Sequence, residues 1–304
     1  MFDVIVIGGS FAGQAAALTL ARARRRVLLV DEGCPRNRFA RTSHGFLGQD
    51  GVPPSEVISI AARQLASYET VELRREKATD AAAAEGVFRV SLANGRTEIG
   101  KRVILATGVR DILPGLPGVE ERWGVSVLHC PYCHGYELDR RPLGVLASNA
   151  MAFHHTMLVP DWGPTTLFTH GVFDPTPEQC SALAARGVAI ERTPVVELLG
   201  ETPLLEAIRL ADGRIVRLSG LFVAPRTVPA SDLAEGLGCA FEDGPTGPFI
   251  AADERRQTSV PGVFAAGDAA SPMPNATLAA AAGVIAAGSA HQSLIFVGTE
   301  AIPS

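Results

Sequence analysis

Val4-Ile5-Val6-Ile7-Gly8-Gly9-Ser10-Phe11-Ala12-Gly13 is the stretch that decides the fold. Val4 to Ile7 is an unbroken apolar, β-branched run, the pattern of a parallel strand covered on both faces. Glycines follow at once, and Gln14 to Arg24 reads as an Ala/Leu-rich helix. Val27 to Val30 is a second apolar strand, ending in Asp31-Glu32. Strand, turn, helix and strand make a βαβ unit of about 30 residues. In such a unit the first glycine permits the tight turn and the second lets backbone approach a pyrophosphate. The third packs helix on sheet, with the phosphate at the helix N-terminus. Gly8, Ser10 and Gly13 take these places, and Phe11 and Ala12 between them are further cofactor-binding candidates. Ser10 departs from glycine but is small enough to allow close approach. Asp31 stands where a carboxylate accepts hydrogen bonds from a ribose, with Glu32 beside it.

Outward from this unit, residues 34–55 are punctuated by Pro35, Gly45, Gly48, Gly51, Pro53 and Pro54 and read as loop. A helix is predicted over Ser55 to Tyr68, and strands near 87–92 and 102–106 with an Asn94-Gly95 turn signal between them. The second of these leads into Ala106-Thr107-Gly108. Pro114 and Pro117 mark a boundary. A degraded βαβ copy then follows: strand Leu143 to Leu146, helix 150–159, strand 165–168. Gly244-Pro245-Thr246-Gly247-Pro248 reads as a return linker. Val263 to Asp268 and an Ala-rich helix from about 276 to 294 finish the chain. The expected class is α/β with two Rossmann-like, three-layer dinucleotide-binding domains. The first is discontinuous, 1–113 with 245–304; the second spans 117–243.

Of the 304 residues 47% are apolar and 19% charged, a balance that sustains two cores rather than a disordered chain. Net charge is -5, and Lys77 and Lys101 are the only lysines, so neither nucleic acid nor an anionic membrane is an expected partner. No apolar run reaches the roughly 20 residues of a membrane span. The start lacks a basic segment and a cleavage site, so a reducing cytoplasm is the expected location. There, the five cysteines are not a disulfide framework. Cys34, Cys180 and Cys239 read as isolated structural residues.

Cys130-Pro131-Tyr132-Cys133-His134 carries the chemistry. The spelling also fits c-type haem attachment, but that requires export and an oxidising compartment. Zinc requires a second ligand pair, and His154-His155 are adjacent rather than suitably spaced. No metal is therefore expected. A buried structural pair is the bland alternative. A redox dithiol fits best, because a C-x-x-C pair often lowers one thiol pKa and the thiolate is the nucleophile of exchange.

The glycine turn, Ala106-Thr107-Gly108, Gly267-Asp268 and a cysteine pair between two βαβ halves together resemble the low-molecular-weight thioredoxin reductases, over nearly the whole length. The resemblance implies that the first and last segments bind FAD and that the middle segment once bound NADPH. It implies an FAD site that includes Arg38, Ala78, Gly267 and Asp268, with Asn275, Ala276 and Thr277 near the isoalloxazine at the opening of the last helix. It places Cys133 against the flavin and gives Cys130 the exchange with substrate. A homodimer is implied as well. His134 stands where that family has Asp, and its pKa near 6.5 suits acid/base work on a departing thiol. Its bland alternative is a helix-start residue contacting its own backbone. The C-P-x-C-H form resembles the flavin dithiol oxidases, whose substrates are small molecules.

The second nucleotide site reads as broken. Its three glycine places fall on Ala147, Asn149 and Ala152, and Asn149 is expected to fill the space a pyrophosphate needs. Where the resemblance implies an Arg pair for a 2′-phosphate stand His170-Gly171, and residues 142–185 hold no Lys or Arg. A charged hydrogen bond to phosphate is worth about 1.5–3 kcal/mol, so without the pair NADPH affinity should fall by orders of magnitude. Arg186 and Arg192 are the cations that could replace it. The expected function is FAD-dependent thiol–disulfide exchange through Cys130 and Cys133, without NADPH, on a small dithiol or disulfide or a thioredoxin-like protein; either O2 reoxidises the flavin, as in a dithiol oxidase, or a small electron carrier reduces it. Two alternatives are an NADPH-dependent thioredoxin-disulfide reductase and a non-catalytic FAD-binding redox sensor.

Overall fold

The computed structural model describes residues 1–296, so residues 297–304 of the expected last segment lie outside the described residues. Two compact units emerge: 1–38 with 55–110 and the chain from 228 onward, and 39–54 with 111–227.

In the first unit the sheet runs Val71–Arg74, Val27–Val30, Phe2–Ile7, Thr97–Leu105, Val87–Leu92, Ala78–Ala84 in spatial order. The first four are parallel, and Val263–Ala265 also pairs parallel with Thr97–Leu105. On its edge away from Phe2–Ile7, Thr97–Leu105 serves two neighbours: its first half pairs antiparallel with Val87–Leu92 and its second half parallel with Val263–Ala265. Successive side chains of a strand face opposite sides. Accordingly Ile5 and Ile7 enter one apolar cluster with Leu28, Val30, Val103 and Leu105. Val4 and Val6 enter another with Val27, Leu29 and Ile104. Both faces are covered, which is why the opening run has no polar residue.

The second of these clusters is closed by Phe11–Arg22 and Ala276–Ile295, through Ala16, Ala17, Leu20, Ala282, Ala286, Ala287 and Ala290. Ala276–Ile295 is long and apolar enough to cross a membrane, yet its small-residue face builds this core. The opposite cluster is closed by antiparallel strands and by Leu233, Ala234, Cys239 and Ile250.

The second unit repeats the plan. Ala189–Glu191, Thr165–Phe168, Leu143–Leu146, Gly220–Val223 and Val127–Leu128 form a parallel sheet in that order. Helical Ala152, Val159 and Leu183 cover one face with Val145, Leu167 and Phe222. The other face, with Leu146, Phe168 and Leu221, meets the antiparallel sheet of Val195–Leu199, Ala207–Leu210 and Ile215–Arg217. Both units are thus three-layered α/β folds, with helices on one face and antiparallel strands on the other.

The expected boundaries shift for a packing reason. Residues 228–243 belong to the first unit, because Leu233, Ala234 and Cys239 pack with Ala78, Ala81 and Phe88. The Gly/Pro run at 244–248 is no linker; it turns between Phe241–Asp243 and Pro248–Ile250, which pair antiparallel. Residues 39–54 join the second unit: a Cβ on Gly124 would lie 2.6 Å from Phe39 Cβ.

Candidate active site

Ile7 pairs with Val30 and Leu105, and Leu105 with Ala265, so four parallel strands end at one level. The next residues, Gly8, Asp31, Ala106 and Ala266, therefore share the carboxyl edge of the sheet. Gly8–Gly13, Asp31, Ala106–Gly108 and Gly267–Asp268 gather there, where open α/β sheets form ligand crevices. Gly8 has φ +105°, and a Cβ on it would overlap the Ala106 carbonyl. A Cβ on Gly13 would overlap the Gly8 carbonyl. Ser10 caps the Phe11–Arg22 helix with an extended backbone, φ −90°, which any residue adopts. The constrained second place is Gly9: a Cβ would sit 2.6 Å from Asp31 Cβ. Its N–H donates to Asp31 Oδ1 at 2.9 Å. One Asp31 oxygen thus fixes the turn, and the other makes no hydrogen bond among the described residues. Gly267, at φ +74°, brings its turn to the Ala12 methyl, 2.9 Å from the position of a Cβ.

The cradle fits a flavin dinucleotide. The helix start after Ser10 carries no acidic residue in its first turn and presents its positive end. A Cβ on Gly108 would meet nothing within 4 Å, so this edge is open. FAD here would rest its pyrophosphate on the Gly9–Ala12 turn, its ribose on Asp31 and its ribityl chain near Asp268. Arg36, which no sequence motif marks, donates from Nη1 to Asp268 Oδ2 at 2.9 Å, with both side chains largely covered. Arg38 instead donates to the Pro35 carbonyl at 3.1 Å. Glu32 faces Lys77 at 3.8 Å in an exposed, solvent-screened pair. Ala78 opens its strand opposite Leu92, with its methyl in the core. Thr107 is half-buried. Asn275 caps the last helix, its Oδ1 accepting from Thr277 N at 2.9 Å and Leu278 N at 3.1 Å. Those two amides are occupied, which leaves the Ala276 N–H as the donor at this helix start.

In the second unit Cys130 and Cys133 form a disulfide with Cα atoms 5.4 Å apart. Cys130 caps the one-turn helix Pro131–His134, and Pro131 at its first position has φ already set for a helix. Trp162 backs the motif. Tyr132 meets it edge-on at 5.3 Å, and a Cβ on Gly135 would lie 2.6 Å from its ring. Tyr132 and Tyr136 are exposed, leaving aromatic surface beside the disulfide. His134 closes the helix rather than starting it, and makes no hydrogen bond among the described residues. Burial pushes its pKa below 6.5, Glu137 pulls it back up, and His44 lowers it further. His44 Nε2 lies 3.4 Å from Glu137 Oε1, so loop 39–54 brings a second imidazole to this group. His134 and Glu137 line a cavity of about 650 Å³. Cys34 is exposed, Cys180 half-buried and Cys239 buried, none of them in a disulfide.

In the second βαβ copy the places of the first two glycines are held by Ala147 and Asn149. Asn149 Nδ2 donates to the Ala224 carbonyl at 2.8 Å, and its Oδ1 accepts from Met151 N at 2.9 Å. Instead of filling open space, the side chain bends onto the end of the neighbouring strand and occupies the first amide of helix Met151–Leu158. Ser148 Oγ donates to the same Ala224 carbonyl. His170, at φ +51°, accepts on Nδ1 from Val195 N at 3.2 Å, and burial lowers its pKa. Arg186 is paired with Asp161 at 2.7 Å, and Arg192 lies 3.5 Å from Asp174.

Residues 2–159 and 169–283 match the family described as pyridine nucleotide-disulphide oxidoreductase. A protein named thioredoxin reductase sirT, from Leptosphaeria maculans, is 33% identical over 94% of this chain and 92% of its own. A solved oxidoreductase from Agrobacterium tumefaciens is 49% identical with TM-score 0.94, covering 97% of this chain and 99% of that one. The solved structure of HlmI is 41% identical with TM-score 0.90, covering 96% and 92%. With its glycine turn, shared strand edge and cysteine pair, the chain belongs to the pyridine nucleotide-disulphide oxidoreductase family, in its thioredoxin reductase-like, FAD-binding branch.

Proposed function

We propose that this protein is an FAD-dependent dithiol oxidase that does not take electrons from NADPH. The observation that carries the reading is Asn149. Its side chain holds the helix-start amide that a second dinucleotide would need, and no Lys or Arg stands between Phe168 and Arg186 to receive a 2′-phosphate. The Cys130–Cys133 disulfide supplies the other half of the chemistry. A substrate thiolate attacks Cys130 Sγ, the Cys130–Cys133 bond breaks, and Cys133 leaves as thiolate. The second substrate thiol then attacks the mixed disulfide, closing the substrate disulfide and releasing Cys130. His134 takes and returns the thiol protons. Bound FAD supplies a two-electron path from the reduced pair to O2, which leaves as H2O2 with the substrate's two protons.

A dithiol supplied in air is expected to yield one peroxide per disulfide, and Cys133→Ser to abolish it. Turnover without peroxide, or wild-type turnover in that variant, contradicts the reading. The name of the Leptosphaeria relative favours the alternative, an NADPH-dependent thioredoxin reductase. Steady turnover of any dithiol excludes a non-catalytic sensor. We further propose a cytoplasmic homodimer; Leu278, Val284 and Ile285 on the exposed side of the last helix offer apolar surface to a second copy.

A further inference from the structure

The 650 Å³ cavity beside His134 has a chemical character that disulfide exchange alone does not require. Every residue lining it belongs to the second unit. Three arginines converge on it from separate segments: Arg41 from loop 39–54, Arg141 from just before the Leu143–Leu146 strand, and Arg217 from the antiparallel sheet. None has a carboxylate partner among the described residues. Other arginines of this unit are neutralised, Arg186 by Asp161, Arg209 by Glu197 and Arg214 by Glu191 and Asp212. Arg141 Nε donates to the Leu138 carbonyl at 3.2 Å, which anchors the base of its guanidinium. Two acids share the wall, Glu137 and Glu206, and Glu137 already faces His44 at 3.4 Å. The wall therefore keeps an excess of positive charge in a protein whose net charge is -5.

We propose that this cavity is an oxyanion subsite that holds a carboxylate of a small dithiol or disulfide substrate while its sulfur atoms reach the Cys130–Cys133 pair. The size lies within the roughly 300–1,000 Å³ of small-molecule pockets, too small for the face of a protein partner. Guanidinium groups are the side chains whose planar donors match a carboxylate in pairs. His134 is a wall of the cavity and the residue directly after Cys133, and it connects the arginines' cavity to the exchange motif. The arginines do not form a displaced NADPH site, since none of them lies in the turn directly after the Thr165–Phe168 strand, where a 2′-phosphate would be held. The inference names the substrate class for the proposed oxidase and rests on that reading for its catalytic meaning.

The test uses the FAD-loaded protein and two ligands of equal size, lipoate and its neutral amide. Calorimetric titration at low ionic strength is expected to show lipoate binding at least tenfold tighter than lipoamide, with the margin shrinking as salt rises. Arg217→Gln and Arg41→Gln, on independent segments, are each expected to cut that margin severalfold, and Arg217→Lys to keep part of it. Equal binding of the two ligands, or a margin that survives both Gln variants, overturns the subsite. The reduced pair, dihydrolipoate and dihydrolipoamide, repeats the comparison in kcat/KM, with the discrimination expected in KM. If lipoate is preferred but neither dithiol turns over, the oxidase reading fails while the oxyanion subsite stands.

Discussion

At the scale of single residues, His134 shows how a site assembles from parts that sequence spacing does not connect. Its place after Cys133 was legible; its neighbours were not. Glu137 lies one turn on, and His44 arrives from a loop ninety residues earlier in chain order, about which periodicity says nothing. Burial, the largest influence, lowers the His134 pKa below 6.5. The imidazole thus stays neutral, and able to accept a thiol proton, down to a pH below that ordinary value. The ratio of wild-type to His134→Asn rates with a dithiol should fall on acidification, with its midpoint under 6.5. Glu137→Gln removes the charge that favours the protonated ring, so the midpoint should move to still lower pH. A midpoint unmoved in Glu137→Gln would contradict this electrostatic account. Gly9 and Ser10 teach a related lesson. The three-glycine pattern assigns the critical place to Ser10, yet the backbone there is extended and tolerant. The crowding is at Gly9, against Asp31, 22 residues further along the chain. Arg36 escaped notice for the same reason: its partner Asp268 is 232 residues away.

At the scale of elements, the strands and helices that build the two βαβ units were readable because each has a strong period or an unbroken apolar run. Val27–Val30, Leu143–Leu146 and Thr165–Phe168 match their expected bounds. Phe11–Arg22 begins earlier than the predicted Gln14, because the helix starts directly at the phosphate turn. Ala78–Ala84 went unread, since alanine has little strand preference and only pairing with Val87–Leu92 makes it a strand. Proline and glycine at 244–248 suggested a linker, whereas the same residues serve a hairpin turn. One close approach between elements governs the flavin cradle: Gly283 of the last helix abuts the backbone of Ala12, and a Cβ there would overlap the Ala12 carbonyl. Gly283→Ala should destabilise the protein by about 1–3 kcal/mol through overpacking. The same displacement should release FAD on gel filtration, because Ala12 belongs to the turn under the pyrophosphate. Gly288→Ala on the same helix meets nothing within 4 Å and should stabilise by about 0.5–1 kcal/mol with FAD retained. Thermal unfolding and the bound flavin ratio check the pair; equal effects of the two substitutions would contradict the close approach.

For the whole molecule, the central claim is that one dinucleotide site is kept and its duplicate is closed by its own side chains. Both units retain the three-layer fold, so architecture alone cannot separate them. What separates them is local: a glycine turn with an open edge in one, and Asn149 bridging Ala224 and Met151 in the other. The sequence showed that the glycines were gone; that Asn149 accepts from the first amide of helix Met151–Leu158 required coordinates. The claim meets its most direct test in an anaerobic titration of the FAD-loaded protein, following the visible absorbance of the flavin. Excess NADPH should leave the band unchanged while a dithiol bleaches it through Cys130 and Cys133. Prompt bleaching by NADPH would contradict the account.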